Sequence, residues 1–330
     1  MKFSSWIAVI SLAWTAGYIY QMYFPQGEMG WVCSIYRQKI QKARNVESSG
    51  RLLIVGGSGT HFSVDAKKLT QTLGIPVFNM GLHGSLGLDA IIASTADEIH
   101  KGDVVLLIPE YHLLWDDDGV DRMAAGFGVR IGHPSFGKVN SEEIAQEAML
   151  AGNPTLRSLT GSFLEVIRNQ KSVQYYSDEL NAYGDPVELK IRNTNLQAME
   201  IKGQISKYAS WRLKQFRKQV EASGASLIIG LPWTFATEDD KVVRNVQEVV
   251  EELTKIAPLL YEPDSLNLKT DRTLFGDSVY HLGYKGRKLR SLELSQQLKP
   301  LLAAQKNRKG TEIISTNQSQ TSFPLEKYPQ

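Results

Sequence analysis

The chain predicts a three-layer α/β domain: a parallel sheet with helices on both faces, carrying an inserted cap region and an N-terminal transmembrane helix. Three observations carry this expectation. Short, almost wholly apolar runs recur along the sequence, stretches of helical period separate them, and polar residues gather where the runs stop. Strands buried on both faces read as unbroken apolar runs. Strands alternating with helices at this spacing form right-handed βαβ units.

The first segment is uncharged over residues 6–24 and follows Lys2, about the length that spans a bilayer core as a helix. Trp6, Tyr18, Tyr20, Tyr23 and Phe24 crowd its ends, as interfacial aromatics do. A cleaved signal peptide would need a small-x-small site, and a buried core helix would normally show a polar face. Residues 1–25 are therefore expected to be an uncleaved anchor, and 26–50 a juxtamembrane connector. Lys2 on one side and Arg37, Lys39, Lys42 and Arg44 on the other leave the orientation open.

The alternating pattern occupies residues 51–303. LLIVGG (52–57) predicts a first strand, with a helix over 66–73 behind it. IPVFNMGL (75–82) predicts a second strand, followed by a helix over 86–99, and DVVLLIPEY (103–111) a third. Between 112 and 197 the rhythm is lost, with short helical pieces around 141–150 and 156–169. A structureless loop of that length is uncommon in a domain, so this region is expected to be a cap or lid. The period returns at Ile201, Ile205, Tyr208, Phe216 and Val220. ASLIIGLPW (225–233) is the fourth strand, Val242, Val246, Val249 and Leu253 mark a helix, and PLLYEP (258–263) is a fifth strand. A closing helix is expected over 287–302, with Pro300 near its end, and residues 304–330 form a polar tail of disordered composition.

Composition narrows the function classes. With 330 residues, 42% hydrophobic and 22% charged, the chain is an ordinary globular protein of one large domain or a domain plus insertion. Lys+Arg 37 against Asp+Glu 35 leaves a net charge of +2, no field to gather nucleic acid. The single Cys33 excludes an intrachain disulfide and a cysteine-based metal site, and its flank lacks the small residues of a lipoprotein cleavage site. His83, His100, His112 and His133 have no metal-like spacing. Asp116, Asp117 and Asp118 read better as a solvated acidic turn than as a cation site. Neither metal nor cofactor is expected.

In a parallel α/β sheet, ligands sit beyond the carboxyl ends of the strands. Ser58 follows the first strand, Asn79 and Gly81 end the second, Glu110 the third, Trp233 and Thr234 the fourth, and Asp277 and His281 lie on a loop before the last helix. All converge on one sheet edge. A serine hydroxyl becomes a nucleophile when a neighbouring base takes its proton. His281 is the candidate base, and Asp277 the group that fixes its tautomer. His61 is an alternative base. Gly56 and Gly57 allow a sharp turn, which makes the Ser58 N–H, the Gly81 N–H and the Asn79 amide candidate donors to an oxyanion. Glu110 is counted with them as a substrate-facing residue. Lys285, Arg287, Lys288 and Arg290 are expected on a solvated face, or against an anionic polymer or lipid head groups. A glycine-rich nucleotide loop is disfavoured, because Gly56-Gly57-Ser58-Gly59 has neither the dinucleotide spacing nor a phosphate-loop lysine.

Taken together, Ser58 after an apolar strand, Asn79-x-Gly81 after the next, and Asp277 with His281 before a final helix resemble the SGNH (GDSL-like) hydrolase superfamily. The segment His281-Leu-Gly-Tyr-Lys-Gly286 is similar to the histidine block of the D-alanyl transfer protein of teichoic acid modification, a relative of alginate O-acetyltransferase-type proteins. The resemblance covers about 50–111 and 200–303. It implies a flavodoxin-like three-layer sheet, Ser58 as nucleophile, His281 as base, Asp277 as its partner and Gly81 as an oxyanion donor. It further implies a membrane-anchored extracytoplasmic esterase or O-acyltransferase acting on a cell-envelope glycan or acylated polymer, with a membrane acyltransferase as partner. The Gly-x-Asn-Asp block of the wider superfamily is absent: the third strand ends Pro109-Glu110-Tyr111. That departure keeps a second expectation open, a catalytically degenerate domain that binds a glycan or serves as an acyltransferase-partner scaffold.

Overall fold

A computed structural model describes residues 2–23, 27–46, 50–133, 141–142, 145, 179–189 and 194–315. Its centre is a five-stranded parallel sheet of β1 (Leu52–Gly56), β2 (Val77–Asn79), β3 (Val104–Ile108), β4 (Ser226–Gly230) and β6 (Leu259–Leu260), in the order β2-β1-β3-β4-β6. β1 and β3 pair from Leu52↔Val104 to Gly56↔Ile108. A small parallel pair, β5 (Thr234–Phe235) and β7 (Leu268–Lys269), lies outside it. The five expected strands form, in this mixed α/β arrangement, at or within the predicted runs.

Successive strand residues point to opposite faces, and both faces are covered. Leu53, Val55, Val105, Leu107 and Ile229 join one apolar cluster with α2 (Gly27–Arg44), α5 (Gly87–Ala96), α6 (Tyr111–Trp115), α7 (Ala124–Ile131), α8 (Lys207–Ala222) and α9 (Asp240–Thr254). Leu52, Ile54, Val104, Leu106 and Ile108 join another with Ala66, Leu69, Leu294 and Leu298, from α4 (Ala66–Leu73) and α10 (Tyr284–Ser315). Local chemistry sets the helix ends. Asp65, Ser206 and Asp239 cap α4, α8 and α9 by accepting backbone N–H bonds. Gly74 closes α4 at φ +69, in the left-handed region that favours glycine.

Four expectations change. Helix α1 (Lys2–Tyr23) forms and exposes Trp6, Ile7, Val9, Ile10, Leu12 and Ile19. Yet no helix among the described residues is long and apolar enough to cross a membrane; Ser4, Ser5, Ser11, Thr15 and Gln21 dilute the hydropathy of this one. Residues 26–50 are more than a connector, because α2 buries Trp31, Val32, Cys33, Ile35, Ile40 and Ala43. Residues 179–189, taken as part of the insertion, belong to the domain: Asn79 N–H donates to Tyr183 O at 2.9 Å, and Asp185 accepts from the Ala66 and Lys67 amides at the start of α4. Finally, α10 runs past Pro300 to Ser315 rather than ending near 302. The short helices expected around 141–150 and 156–169 lie almost entirely outside the described residues, as do tail residues 316–330.

In the order β2-β1-β3 the chain leaves β1 to one side and β3 to the other, which opens a crevice at their carboxyl ends. Ser58 and Glu110 stand there.

Candidate active site

Ser58 opens α3 (Ser58–Ser63), directly after β1. Its turn is gripped from below. The buried Glu110 carboxylate accepts the Gly57 N–H at 3.1 Å and the Gly59 N–H at 2.8 Å, and so fixes both peptide groups around the serine. A Cβ on Gly57 would collide with both Glu110 carboxylate oxygens, whereas one on Gly59 would sit 3.0 Å from Oε1, a tight contact that a small shift of the carboxylate relieves.

The other half of the site is a closed loop. An antiparallel bridge between Phe275 and Leu282 pinches its base, Gly276 N–H donates to His281 O at 2.8 Å, and the Arg272 guanidinium donates to the Phe275 and Gly276 carbonyls. This closure carries Asp277 and His281 to the edge where Ser58 stands. His281 Nε2 lies 2.8 Å from Ser58 Oγ, and its Nδ1 lies 3.0 Å from Asp277 Oδ1. A carboxylate accepts only, so Nδ1 carries the proton, and Nε2 is left to accept from the serine hydroxyl. The Phe62 ring packs 4.7 Å from the His281 ring. The three residues expected to act together are brought into hydrogen-bonding reach from segments 223 positions apart.

The expected oxyanion donors are placed differently. The Gly81 N–H is spent on Asn79 Oδ1 at 2.9 Å. The Asn79 amide points inward, donating to the His61 carbonyl at 3.2 Å and to Asp185 Oδ1 at 3.2 Å. Asn79 is therefore a buried brace for the turn after β2, and Gly81 gives α3 room to approach: a Cβ there would meet His61 N at 2.4 Å. Glu110 likewise faces the Ser58 turn, not the crevice. The Ser58 N–H stands at the first position of α3, where no intrahelical acceptor is available to it.

His61 is not the base. It is fully buried among Trp31 and Phe62, and burial first, then Lys39, hold its pKa well below the usual value. Among the other histidines, His83 Nε2 meets Glu28 at 2.9 Å and His100 Nδ1 meets Arg51 at 2.9 Å. No metal-binding group of His, Cys, Asp or Glu occurs among the described residues. Two of the basic residues expected on a solvated face are internal: Arg290 donates to Leu231 O, and Arg287 donates to Val64 O and meets Asp185.

Two residues near the site escaped sequence reasoning. Lys39 of α2 is fully buried, and its Nζ donates to Asn79 O at 2.6 Å and to Gly184 O at 2.8 Å. A signal existed, because Lys39 falls within the helical spacing of Val32, Ile35, Ile40 and Ala43. Ser63, at the far end of α3, bonds the loop that carries His281, and nothing in its sequence surroundings announces this. No family model and no curated protein matches the chain.

Proposed function

We propose that the protein is a serine-nucleophile acyl-transfer enzyme, an esterase or O-acyltransferase of the SGNH type. The observation that carries this reading is the continuous relay Ser58 Oγ–His281 Nε2 and His281 Nδ1–Asp277, set at the crevice of a parallel α/β sheet. Ser58 Oγ attacks the acyl carbonyl carbon while its proton passes to His281 Nε2. That proton then goes to the departing alcohol oxygen as its bond to the acyl carbon breaks, leaving an acyl-Ser58. Water or a sugar hydroxyl next gives its proton to His281 and attacks the acyl carbon; the acyl–Oγ bond breaks, and His281 returns that proton to Ser58 Oγ. The first acceptor makes an esterase, the second a transferase. Asp277 stabilises the imidazolium in both halves.

The resemblance to cell-envelope acylation proteins favours an acylated glycan or polymer as substrate and a membrane acyltransferase as partner. Attachment to a membrane through α1, with the bulk of the chain extracytoplasmic, agrees with the exposed apolar side chains on that helix. One observation favours a second reading, a non-catalytic glycan-binding or partner scaffold: the Gly81 and Asn79 donors are already occupied.

A fluorophosphonate probe separates the two. The full-length protein in mild detergent is expected to be labelled at Ser58, with labelling abolished in both Ser58→Ala and His281→Ala. A folded wild-type protein that stays unlabelled would sink the catalytic reading and leave the scaffold.

A further inference from the structure

Ser63 ends the helix that Ser58 begins. Its hydroxyl donates to the Tyr280 carbonyl at 2.8 Å and accepts the Leu282 N–H at 3.2 Å. Those are the backbone groups of the two residues flanking His281. The side chain is buried, at 8% exposure, and the bonds span 217 and 219 positions of sequence. Nucleophile and base are thus tied to opposite ends of one rigid six-residue helix. Its beginning is held by Glu110 through Gly57 and Gly59.

We propose that Ser63 is a positioning residue for the Ser58–His281 pair: by bonding both neighbours of His281 it sets where the imidazole stands relative to the serine hydroxyl. This rests on the acyl-transfer reading for its catalytic meaning, but the placement of His281 can be read separately. The Phe275–Leu282 bridge and the Gly276–His281 bond close the loop on itself, while the Phe235 N–H to Val279 O bond at 2.9 Å and the Tyr111 N–H to Tyr280 hydroxyl bond at 3.1 Å anchor it at the sheet edge without touching the peptide groups beside His281. The Ser63 hydroxyl references the peptide groups beside His281 directly to α3. Near-attack geometry is sensitive to displacements of about 1 Å, which cost on the order of a hundredfold.

The test compares Ser63→Ala and Ser63→Thr with wild type, all full-length and checked for native circular dichroism. Fluorophosphonate labelling rates are measured at saturating probe, so that reaction is separated from binding. The downfield NMR resonance of the His281 Nδ1 proton reports its bond to Asp277. Ser63→Ala is expected to label at least about tenfold more slowly with little change in probe affinity, and to lose or shift the Nδ1 proton. Ser63→Thr, which keeps the hydroxyl, should restore both. Labelling of Ser63→Ala at the wild-type rate, or equal slowing in both variants, overturns the inference, the latter because packing rather than the hydroxyl would then be responsible. If wild type itself fails to label, the acyl-transfer reading falls, and the Nδ1 proton alone decides whether Ser63 positions His281: a loss in Ser63→Ala that Ser63→Thr reverses supports it, and an unchanged resonance overturns it.

Discussion

At the carboxyl end of β3 the Glu110 carboxylate turns from the crevice and accepts the Gly57 and Gly59 N–H groups on either side of Ser58. A carboxylate offers two acceptor oxygens, one for each N–H, whereas glutamine offers one oxygen and an NH2 that confronts the second amide. Glu110→Gln should therefore leave one buried N–H unpaired, at about 1–3 kcal/mol. Urea unfolding should show that loss, together with slower labelling of Ser58; an unchanged midpoint would mean that the two amides do not depend on the carboxylate. The same contrast of place and role applies to Asn79 and Gly81. An asparagine side chain readily accepts from the backbone N–H two residues on, and that local preference consumes the donor expected for an oxyanion. Ser58, His281 and Asp277 were legible because each interrupts a strong pattern, the end of an apolar strand or a polar turn before a helix.

At the scale of elements, the strands were legible because burial on both faces leaves no room for polar residues, and helices α4, α8 and α9 because their apolar positions recur at helical spacing. Helix α2 was not, since Arg37, Gln38, Lys39, Gln41 and Lys42 mask a stripe in which Trp31, Val32, Ile35, Ile40 and Ala43 are buried. Helix α10 runs beyond the expected end at 302 to Ser315, and Pro300 does not break it: the ring removes one helical hydrogen bond, but the helix continues on both sides. These corrections predict where the chain can be shortened. A protein beginning at residue 27 should fold and, on the proposed attachment through α1, should no longer sediment with membranes. One beginning at residue 50 should fail to fold, because it strips α2 from its apolar cluster. Expression of both with circular dichroism and membrane fractionation checks this. Native spectra from the residue-50 form would show α2 to be dispensable, and a residue-27 form still held by membranes would remove the attachment assigned to α1.

Across the whole molecule, Lys39 joins regions that no local pattern connects: α2, the end of β2, and the segment around Gly184. Its neighbours are Asp185, which also starts α4, and Arg287 near the start of α10, which meets Asp185. Burial pushes the Lys39 ammonium down from 10.5 to about 7, with Asp185 opposing the shift and Arg287 adding to it. The sign of the consequence follows from proton counting. Between about pH 7 and 10.5 the unfolded chain holds a proton on this lysine that the folded chain has released, so stability rises with pH across that window. Below it both states are protonated, and the cost of burying the charge is present in full. Lys39→Met removes the titration. Urea midpoints of wild type relative to Lys39→Met should therefore be level below pH 7 and climb from there toward pH 10. A difference that stays constant through that range would show that the Asn79 and Gly184 carbonyls and Asp185 keep the ammonium charged, making this junction a fixed ionic brace rather than a titrating one.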